Sequence, residues 1–235
     1  MAKVSKHHKS PETQLKIDGV SLEGLSLREF DKIVFENYGL VCGIDEAGRG
    51  PIAGPVFAAA VVLDLNNPIE GLNDSKKLTP KKREALYEEI WNKAIAVCCA
   101  CAFASEIDQT DILSADLLAM ARAFDGIVTE PKIVLVDGDV LPELNEPFND
   151  NNVKFVGLVK NVIGGDAKSE AIAAASIIAK VERDAEMCRL AEEYPGYGFE
   201  KHKGYGTKAH YEAIDKLGLC PIHRKTFLKK YIKDE

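Results

Sequence analysis

The sequence predicts an α/β fold in which helices pack on a mixed β-sheet. Two apolar runs flank a glycine-rich turn early in the chain, as in a β-hairpin, and a third apolar run follows. Strand and helix patterns then alternate through the second half, which is typical of a sheet with parallel strands. The chain has 235 residues, of which 46% are hydrophobic, so it can form one large domain with a substantial core.

The N-terminal region predicts a polar tail, a short helix and the start of the sheet. Residues 1–21 lack a periodic apolar pattern, and we expect them to form a mobile tail. Ser26 and Glu29 have the spacing of a capping box, which predicts a helix from that point. Residues 40–45 then form a predicted strand, and residues 55–63 form its hairpin partner.

The remaining elements follow from caps and from apolar periodicity. Thr79 is a suitable N-cap and Pro80 suits the first helical position, so a helix is predicted to about Lys93. Further on, the apolar spacing alternates between the period of strands and that of helices. It predicts strands at 94–104, 131–136 and 154–159, helices at 114–129 and 169–193, and a tail of loop and helix.

Composition divides the chain into three segments. We expect an N-terminal extension over residues 1–38, partly disordered with a short helix, a core over residues 39–193, and a basic helical segment over residues 194–235. The net charge is −7, yet basic residues clearly outnumber acids from Lys201 to Lys233. A basic surface on an acidic protein is sufficient to bind a phosphate backbone.

Hydropathy and the cysteines restrict the class of protein. The sequence has no charged-then-apolar signal peptide and no apolar stretch of membrane-spanning length, so we expect a cytoplasmic protein without membrane association. Cys98 and Cys101 have the spacing of a metal or redox pair, but no second pair at zinc spacing exists. Because isolated cysteines pack as small hydrophobic residues, we expect no structural zinc and no disulfide framework.

The turn after the first predicted strand combines groups that bind a metal with groups that bind a phosphate. Asp45 and Glu46 end the apolar run, and Gly48, Arg49 and Gly50 follow. Carboxylate oxygens suit Mg²⁺ or Mn²⁺, and the planar guanidinium offers paired donors to phosphate oxygens. The glycines leave the backbone open to close approach by a ligand.

Two further acids extend this predicted site. Asp137 ends a predicted strand, and Asp166 precedes the long predicted helix. Neighbouring carboxylates repel one another and their pKa values rise unless a cation neutralises them, so convergence of the four acids implies divalent metal. Such a cluster usually serves phosphoryl transfer, in which two ions activate a water and stabilise the departing oxygen. Four unrelated surface acids are the alternative.

Six motifs, in order, resemble the motif series of ribonuclease HII, and the similarity runs from about residue 40 to residue 227. The first motif continues through residues 51–55 in a form that is closer to ribonuclease HII than to ribonuclease HIII. Because several motifs occur in the same order, the resemblance does not depend on one short pattern. The motifs are residues 43–51 (GIDEAGRGP), 74–78 (DSKKL), 137–138 (DG), 165–169 (GDAKS), 173–184 (AAASIIAKVERD) and 202–207 (HKGYGT).

The resemblance implies a ribonuclease H-like fold and a metal-dependent endonuclease. Such an enzyme hydrolyses the RNA strand of RNA/DNA hybrids and nicks duplex DNA on the 5′ side of single embedded ribonucleotides, leaving 3′-hydroxyl and 5′-phosphate ends. The resemblance implies two Mg²⁺ or Mn²⁺ ions in the catalytic state. Carried over by position, the acids that bind metal and catalyse are Asp45, Glu46, Asp137 and Asp166.

The resemblance also implies where the substrate binds. Residues Gly48, Arg49 and Gly50 match the family's turn that senses the ribose 2′-hydroxyl, and Tyr205 matches the tyrosine that packs on the neighbouring sugar. The 2′-hydroxyl is both a donor and an acceptor, and it distinguishes RNA from DNA. We expect a monomer, with the C-terminal segment as a candidate contact for a sliding clamp.

Three lysines are candidate phosphate contacts. Lys76 and Lys77 precede a predicted helix, and Lys168 lies near the start of another, where free amides favour anions. Lysines that only make the surface soluble are the alternative, which is equally consistent with the sequence for Lys168.

Tyrosines and an acid near the C-terminal half complete the set of candidates. Tyr194, Tyr197 and Tyr205, with interleaved lysines, fit a nucleic-acid surface, and an inert surface with the same mixture of residues is the alternative. Asp184 lies well inside the long predicted helix. We therefore predict that it pairs with Lys180, four residues before it, and does not bind metal.

Two other functions compete with this interpretation. Gly48, Gly50 and Ala53 satisfy the loose G-x-G-x-x-A pattern of a dinucleotide-binding turn after a strand. That fingerprint requires a helix next, whereas a strand-like run follows here, and the two carboxylates would repel a pyrophosphate. The second competitor is a noncatalytic hybrid-binding module, but such a module has no need of four mutually repelling carboxylates.

Overall fold

One mixed sheet forms the centre of the fold. The computed structural model describes residues 13–144 and 155–231. The strands are β1 (Val41–Ala47), β2 (Val56–Val62), β3 (Ala96–Ala102), β4 (Ile133–Asp137) and β5 (Leu158–Val162). The strand order in the sheet is β3-β2-β1-β4-β5. Strand β2 pairs antiparallel with both β1 and β3, and β4 pairs parallel with both β1 and β5. This order confirms the predicted mixed sheet and the hairpin of the first two strands.

Helices cover both faces of the sheet. They are α1 (Leu27–Tyr38), α2 (Pro80–Lys93), α3 (Ala104–Gln109), α4 (Ile112–Asp125), α5 (Glu170–Glu193), α6 (Phe199–His202) and α7 (Lys208–Leu217). Helices α1, α2 and α5 pack on one face and α4 on the other. Alternate residues of β2 serve the two cores, with Val61 on the α5 side and Val62 on the α4 side. None of the helices in the described residues combines the length and apolar character needed to cross a membrane.

The long helix α5 lies very close to β1. A Cβ atom at Gly43 would overlap the backbone of Ala171 and Ile172, so glycine is needed at this position. The first turns of α5 are rich in alanine, and these small side chains let the helix pack close to the sheet. The start of α5 therefore lies beside the end of β1 that carries Asp45.

Side-chain caps set the helix boundaries. The capping box at Ser26 starts α1, and Thr79 caps α2, as the sequence predicts. The helix predicted at 114–129 instead spans Ile112–Asp125. Asp111 explains the earlier start, because its carboxylate accepts hydrogen bonds from two amides of the first turn.

The third strand is shorter than predicted. The sequence predicts it at 94–104, but it ends at Ala102. Phe103 already belongs to the start of α3, because its amide donates to Glu106 Oε2 at 2.9 Å. The predicted strand was too long because Phe103 is apolar and was counted as part of it, although its side chain is largely exposed.

The fifth strand is displaced along the chain. The sequence predicts it at 154–159, whereas it lies at Leu158–Val162, and residue 154 is outside the described residues. Phe155 contributed to that prediction. Its ring packs edge-on against Phe124 of α4, with ring centroids 4.9 Å apart, before the strand begins.

Part of the predicted N-terminal tail is built into the fold. Residues 1–12 lie outside the described residues. Leu15 is buried and its amide donates to the Asn161 carbonyl at 3.1 Å, so the expected mobile tail does not extend to residue 21. Helix α1 also joins the main core, and its buried Asp31 accepts a hydrogen bond from the Ala171 amide at 2.8 Å.

The residues after α5 form a third, smaller core. Tyr197 and Phe199 stack with ring centroids 5.2 Å apart, in a cluster that includes Met187 of α5 and Ile52. The C-terminal segment is therefore attached to both the long helix and the glycine-rich turn. Tyr197 is buried and its hydroxyl donates to the Gly218 carbonyl, so its predicted place on an exposed nucleic-acid surface is wrong.

Candidate active site

Three carboxylates meet at the carboxyl ends of β1 and β4. In the parallel register Ile44 pairs with Val136, so the residues that follow, Asp45 and Asp137, are neighbours. One carboxylate oxygen from each of Asp45, Glu46 and Asp137 lies within 4.8 Å of the other two. The structure thus brings together three of the four acids that the sequence singles out.

Burial and repulsion make this cluster unfavourable without a cation. Burial raises the pKa of Asp45 well above its ordinary value, and the charges of Glu46 and Asp137 raise it further. Burial also raises the pKa of Glu46, against the opposing effect of Arg49. A divalent cation would relieve the repulsion, and hard cations prefer carboxylate oxygens. The donor set therefore fits Mg²⁺ or Mn²⁺.

Asp166 lies beside this cluster. The Gly165 amide donates to Asp137 Oδ1 at 2.6 Å, which attaches the loop before α5 to the end of β4. Burial, followed by the charge of Asp137, raises the pKa of Asp166. Asp166 Oδ2 also lies 3.9 Å from Lys76 Nζ. The fourth acid is therefore close enough to the others to interact with their charge.

Two buried arginines fix the path of the turn at residues 48–50. Gly48 has a φ of 102°, and a Cβ atom there would overlap the side chain of Arg183. Arg183 donates from Nε to the carbonyl that precedes β2, at 3.0 Å. Arg224 donates to the carbonyls of Gly48 and Arg49 at 2.6 and 2.9 Å. The turn is thereby attached to α5 and to the C-terminal segment.

The guanidinium of Arg49 lies between two acids. Its Nη1 is 3.7 Å from Glu46 Oε1, and its Nε is 3.4 Å from Asp116 Oδ2. Asp116, in α4, is buried, and its other carboxylate oxygen has no hydrogen-bond partner. Sequence reasoning did not select Asp116, because an acid within a helix resembles a surface residue until its burial is known.

Tyr205 lies next to the turn. A Cβ atom at Gly50 would be 3.6 Å from Tyr205 Cε1, and 46% of the tyrosine is exposed. The Ile52 amide donates to the Gly204 carbonyl at 2.9 Å, which joins the loop of Tyr205 to the turn. The residues expected to sense the 2′-hydroxyl and to pack on the neighbouring sugar, residues 48–50 and Tyr205, therefore share one surface, which we call the recognition surface.

The three candidate lysines have different surroundings. Desolvation near the acids acts to lower the pKa of the exposed Lys76, but the charges of Asp45 and Asp166 outweigh it and raise the pKa. Lys77 Nζ lies 3.8 Å from a neighbouring carboxylate, and Lys168 Nζ donates to a backbone carbonyl at 2.7 Å. Of the three, Lys76 is the one beside the acidic cluster.

Sequence reasoning also missed the two buried arginines. Arg183 lies within a charged stretch of α5 and Arg224 within a basic run, so both resembled surface cations. Arg183 lies on the same helix face as the buried Met187, four residues later. That spacing from an apolar residue was the one indication in the sequence that Arg183 is buried. Asp184 pairs with Lys180 at 2.7 Å, which confirms the predicted ion pair.

Comparison with known proteins establishes the family. The family model described as Ribonuclease HII matches residues 42–230. The chain belongs to the ribonuclease HII family. A curated ribonuclease HII from Caldicellulosiruptor bescii is 51% identical over 202 residues, which cover 86% of this chain and 93% of that protein.

Solved structures of the family show the same architecture. Ribonuclease H2 from Pyrococcus horikoshii OT3 has a TM-score of 0.65 and 32% identity, over 80% of this chain and 93% of that chain. A chain of the PCNA:RNase HII complex from Archaeoglobus fulgidus has a TM-score of 0.63 and 26% identity, over 83% and 97%. The fold is ribonuclease H-like, and the protein is a ribonuclease H of the endonuclease type that acts on RNA/DNA hybrids. As a ribonuclease H, it depends on divalent metal.

Proposed function

We propose that this ribonuclease H also nicks duplex DNA on the 5′ side of single embedded ribonucleotides, and that Asp45, Glu46, Asp137 and Asp166 are its catalytic, metal-binding acids. The observation that carries the proposal is the convergence of oxygens from the first three acids within 4.8 Å. Asp166 lies beside them and next to Lys76. The cleavage would leave 3′-hydroxyl and 5′-phosphate ends.

The four acids would hold two Mg²⁺ or Mn²⁺ ions, which when bound would activate a water and stabilise the departing oxygen. The chain's own contribution is rigid placement of the ligands. Asp45 is buried and its Oδ1 accepts the Glu46 amide at 2.7 Å, so its orientation is set before substrate arrives. Lys76 brings positive charge to the same place, which favours a phosphodiester there.

The turn at Gly48, Arg49 and Gly50 and the ring of Tyr205 would select the ribonucleotide. The two glycines carry no side chain, so a 2′-hydroxyl can approach the backbone and exchange hydrogen bonds with it. The half-exposed Tyr205 ring, which adjoins Gly50, would pack on the neighbouring sugar. The Arg49 side chain is also about half exposed, at 47%, and can reach a phosphate from its place beside Glu46.

Lys76, Lys77 and Lys168 would contact the phosphate backbone around the site. All three side chains are exposed and lie on the loops that flank the acids. Replacing a lysine that contacts a phosphate weakens binding at every sequence and reduces the slope of affinity against salt by about one. A salt titration of Lys168→Ala therefore distinguishes a phosphate contact from a solubilising lysine.

A cleavage assay tests the proposed function. The substrate is a labelled DNA duplex with one ribonucleotide, incubated with Mg²⁺, with Mn²⁺ or with EDTA, beside an all-DNA duplex. Metal-dependent nicking on the 5′ side of the ribonucleotide supports the proposal. Binding without cleavage in either metal would favour the noncatalytic module.

We also propose that the C-terminal segment binds a sliding clamp and that the protein is otherwise a monomer. A relative from Archaeoglobus fulgidus has been solved with PCNA. Phe227 and Tyr231 present partly exposed rings near the end of the described residues. Size-exclusion chromatography with light scattering tests both statements. Co-elution with the clamp of the same organism should be lost when both rings are replaced by alanine, and unchanged co-elution would contradict this contact.

A further inference from the structure

Two buried histidines form a hydrogen-bonded row behind Tyr205. His210 Nδ1 lies 2.9 Å from the Tyr205 carbonyl oxygen, and His210 Nε2 lies 3.1 Å from His223 Nε2. At the other end, the Cys220 amide nitrogen lies 2.9 Å from His223 Nδ1. Both imidazoles are almost completely buried. We refer to His210 and His223 as the histidine relay.

The two ends of the relay determine its protons independently. The Tyr205 carbonyl can only accept, so His210 must carry its proton on Nδ1 and leave Nε2 as an acceptor. The Cys220 amide can only donate, so His223 must leave Nδ1 bare and carry its proton on Nε2. The His223 Nε2–H group then donates to His210 Nε2. Both ends therefore require the same pair of neutral tautomers.

The neighbouring groups agree with this assignment. The Cys220 thiol, with Sγ 3.1 Å from His223 Nδ1, can donate to the same acceptor, and the Cys220 carbonyl, 3.3 Å away, already accepts the His223 amide. His202 stacks on His210, but its own Nε2 donates to another carbonyl at 2.8 Å. Burial lowers the pKa of His210 to about 4 and also lowers that of His223, so both are neutral at pH 7.

The relay is not arranged as a metal site. Cys220 and His210 approach opposite nitrogens of the His223 ring, so their ligand atoms cannot share one ion. Its contacts lead instead to the recognition surface. His223 forms a backbone bridge with Ala53, and the next residue, Arg224, donates to the carbonyls of the turn.

We propose that His210 is a positioning residue whose Nδ1–H holds the Tyr205 loop in register with the turn at residues 48–50, and that His223 fixes the neutral tautomer in which His210 offers this donor. The inference rests on the proposed role of Tyr205 in selecting the ribonucleotide. The relay fixes the carbonyl of Tyr205, while the backbone next to His223 fixes the turn. Its loss would move the Tyr205 ring relative to Gly50 without touching the carboxylates.

Nitrogen-15 NMR of the histidine rings tests the protonation pattern directly. At pH 7 we expect a neutral His210 with its proton on Nδ1 and a neutral His223 with its proton on Nε2. Cys220→Ala is the control, since it keeps the backbone amide and should preserve both tautomers. The opposite tautomer or an imidazolium at either position would overturn the proposal, whatever the enzyme cleaves.

A matched pair of variants tests the positioning role. In His210→Asn the amide nitrogen takes roughly the place of Nδ1 and keeps the donor to Tyr205. In His210→Gln the amide reaches the place of Nε2, so the bond to His223 stays and the bond to Tyr205 is lost. We expect His210→Gln to reduce the ratio of single-ribonucleotide to long-hybrid cleavage by about fivefold, as for one buried hydrogen bond, while His210→Asn keeps the ratio.

The Tyr205 ring signals in the NMR spectrum provide a readout that does not need activity. They should shift in His210→Gln and stay in place in His210→Asn, with both variants shown to be folded by circular dichroism. Equal ratios and equal ring signals in the two variants would overturn the relay. If the wild-type enzyme did not cut the single-ribonucleotide duplex, the proposed function would fail, and the tautomers and ring signals would still decide the relay.

Discussion

Asp45, in its proposed role as a metal ligand, would serve chemistry at the expense of stability. Its side chain is buried in the sheet, next to the carboxylates of Glu46 and Asp137. Burial and the charges of these two neighbours all disfavour the charged form of Asp45. An apolar or neutral residue would be more stable there. The position therefore makes physical sense where a cation is bound.

Replacing Asp45 separates activity from stability. We expect Asp45→Asn to reduce cleavage at least about 100-fold, because a charged group of the proposed metal site is lost. The same variant should melt a few degrees higher than the wild type in EDTA, since about 1 kcal/mol corresponds to about 2–4 °C in a domain of this size. Asp184→Asn, which leaves the cluster intact, should retain activity. A lower melting temperature for Asp45→Asn in EDTA would show that the carboxylate cluster is not strained.

Gly48 tests the turn at the same scale. Its positive φ penalises any side chain, and the overlap with Arg183 adds a second penalty. Gly218, with a φ of 78° and open space around it, is a control that has the first penalty alone. We expect Gly218→Ala to cost about 1–2 kcal/mol and Gly48→Ala roughly 2 kcal/mol more in urea unfolding. Equal values would mean that Arg183 moves aside without cost.

At the scale of elements, α1 connects the N-terminal segment to the start of α5. Asp31 accepts the Ala171 amide, and Arg28 Nε lies 3.2 Å from Glu170 Oε1. Both contacts are in the first turn of the helix that follows Asp166. Since the family model begins at residue 42, this chain stabilises that turn with a segment outside the matched region.

The buried carboxyl of Asp31 predicts a pH dependence. Burial raises the pKa of Asp31 to about 7, so the folded protein keeps a proton that the unfolded chain releases near pH 4. The folded state binds more protons between these values, so stability falls as the pH rises from about 4 to about 7, by at most about 1.4 kcal/mol per pH unit. The raised pKa values of Asp45, Glu46 and Asp166 contribute to the measured slope as well, so Asp31→Asn should reduce that slope, in urea unfolding at several pH values, by the contribution of Asp31 alone. Glu36→Gln, on the exposed side of α1, should leave it unchanged.

Local sequence patterns predict helices well where a capping residue marks the start, and strands well where an apolar run matches the strand. Ser26 and Thr79 start α1 and α2 as predicted, and the hairpin of β1 and β2 follows from the two apolar runs. The fifth strand was predicted too early in the sequence because Phe155 was counted as part of it. The ring of Phe155 instead packs on Phe124 of α4, before the strand begins. Tertiary packing of this kind is not visible in a local window.

At the scale of the whole molecule, the C-terminal segment completes the recognition surface. Tyr205 reaches the turn from one side, and Arg224 donates to three carbonyls of residues 48–54. The sequence indicated Asp45, Glu46 and Asp137, because each lies at a strand end. It did not indicate Arg224 or the histidine relay, because these contacts join distant parts of the chain and follow no period.

Arg224 tests this connection. Arg224→Lys retains the charge, but its single ammonium nitrogen cannot take the place of the three guanidinium nitrogens that each bind a different carbonyl, so we expect a loss of about 2–3 kcal/mol in urea unfolding. The ratio of single-ribonucleotide to long-hybrid cleavage should fall with it. Lys225→Ala, at the exposed neighbouring position, should change stability by no more than about 0.5 kcal/mol. If Arg224→Lys matched Lys225→Ala in both assays, the turn would not depend on the C-terminal segment.

The central claim is that the carboxylates at the ends of β1 and β4 perform the chemistry. The most direct test is the cleavage rate of Asp137→Asn on a DNA duplex with one ribonucleotide, at saturating Mg²⁺ or Mn²⁺. In the wild type, Asp137 Oδ1 accepts a hydrogen bond from the Gly165 amide at 2.6 Å. The side-chain oxygen of an asparagine can accept the same hydrogen bond, so the variant should remain folded. We expect its rate to be below about 1% of the wild-type rate. Cleavage by Asp137→Asn at the wild-type rate would contradict the assignment of the site.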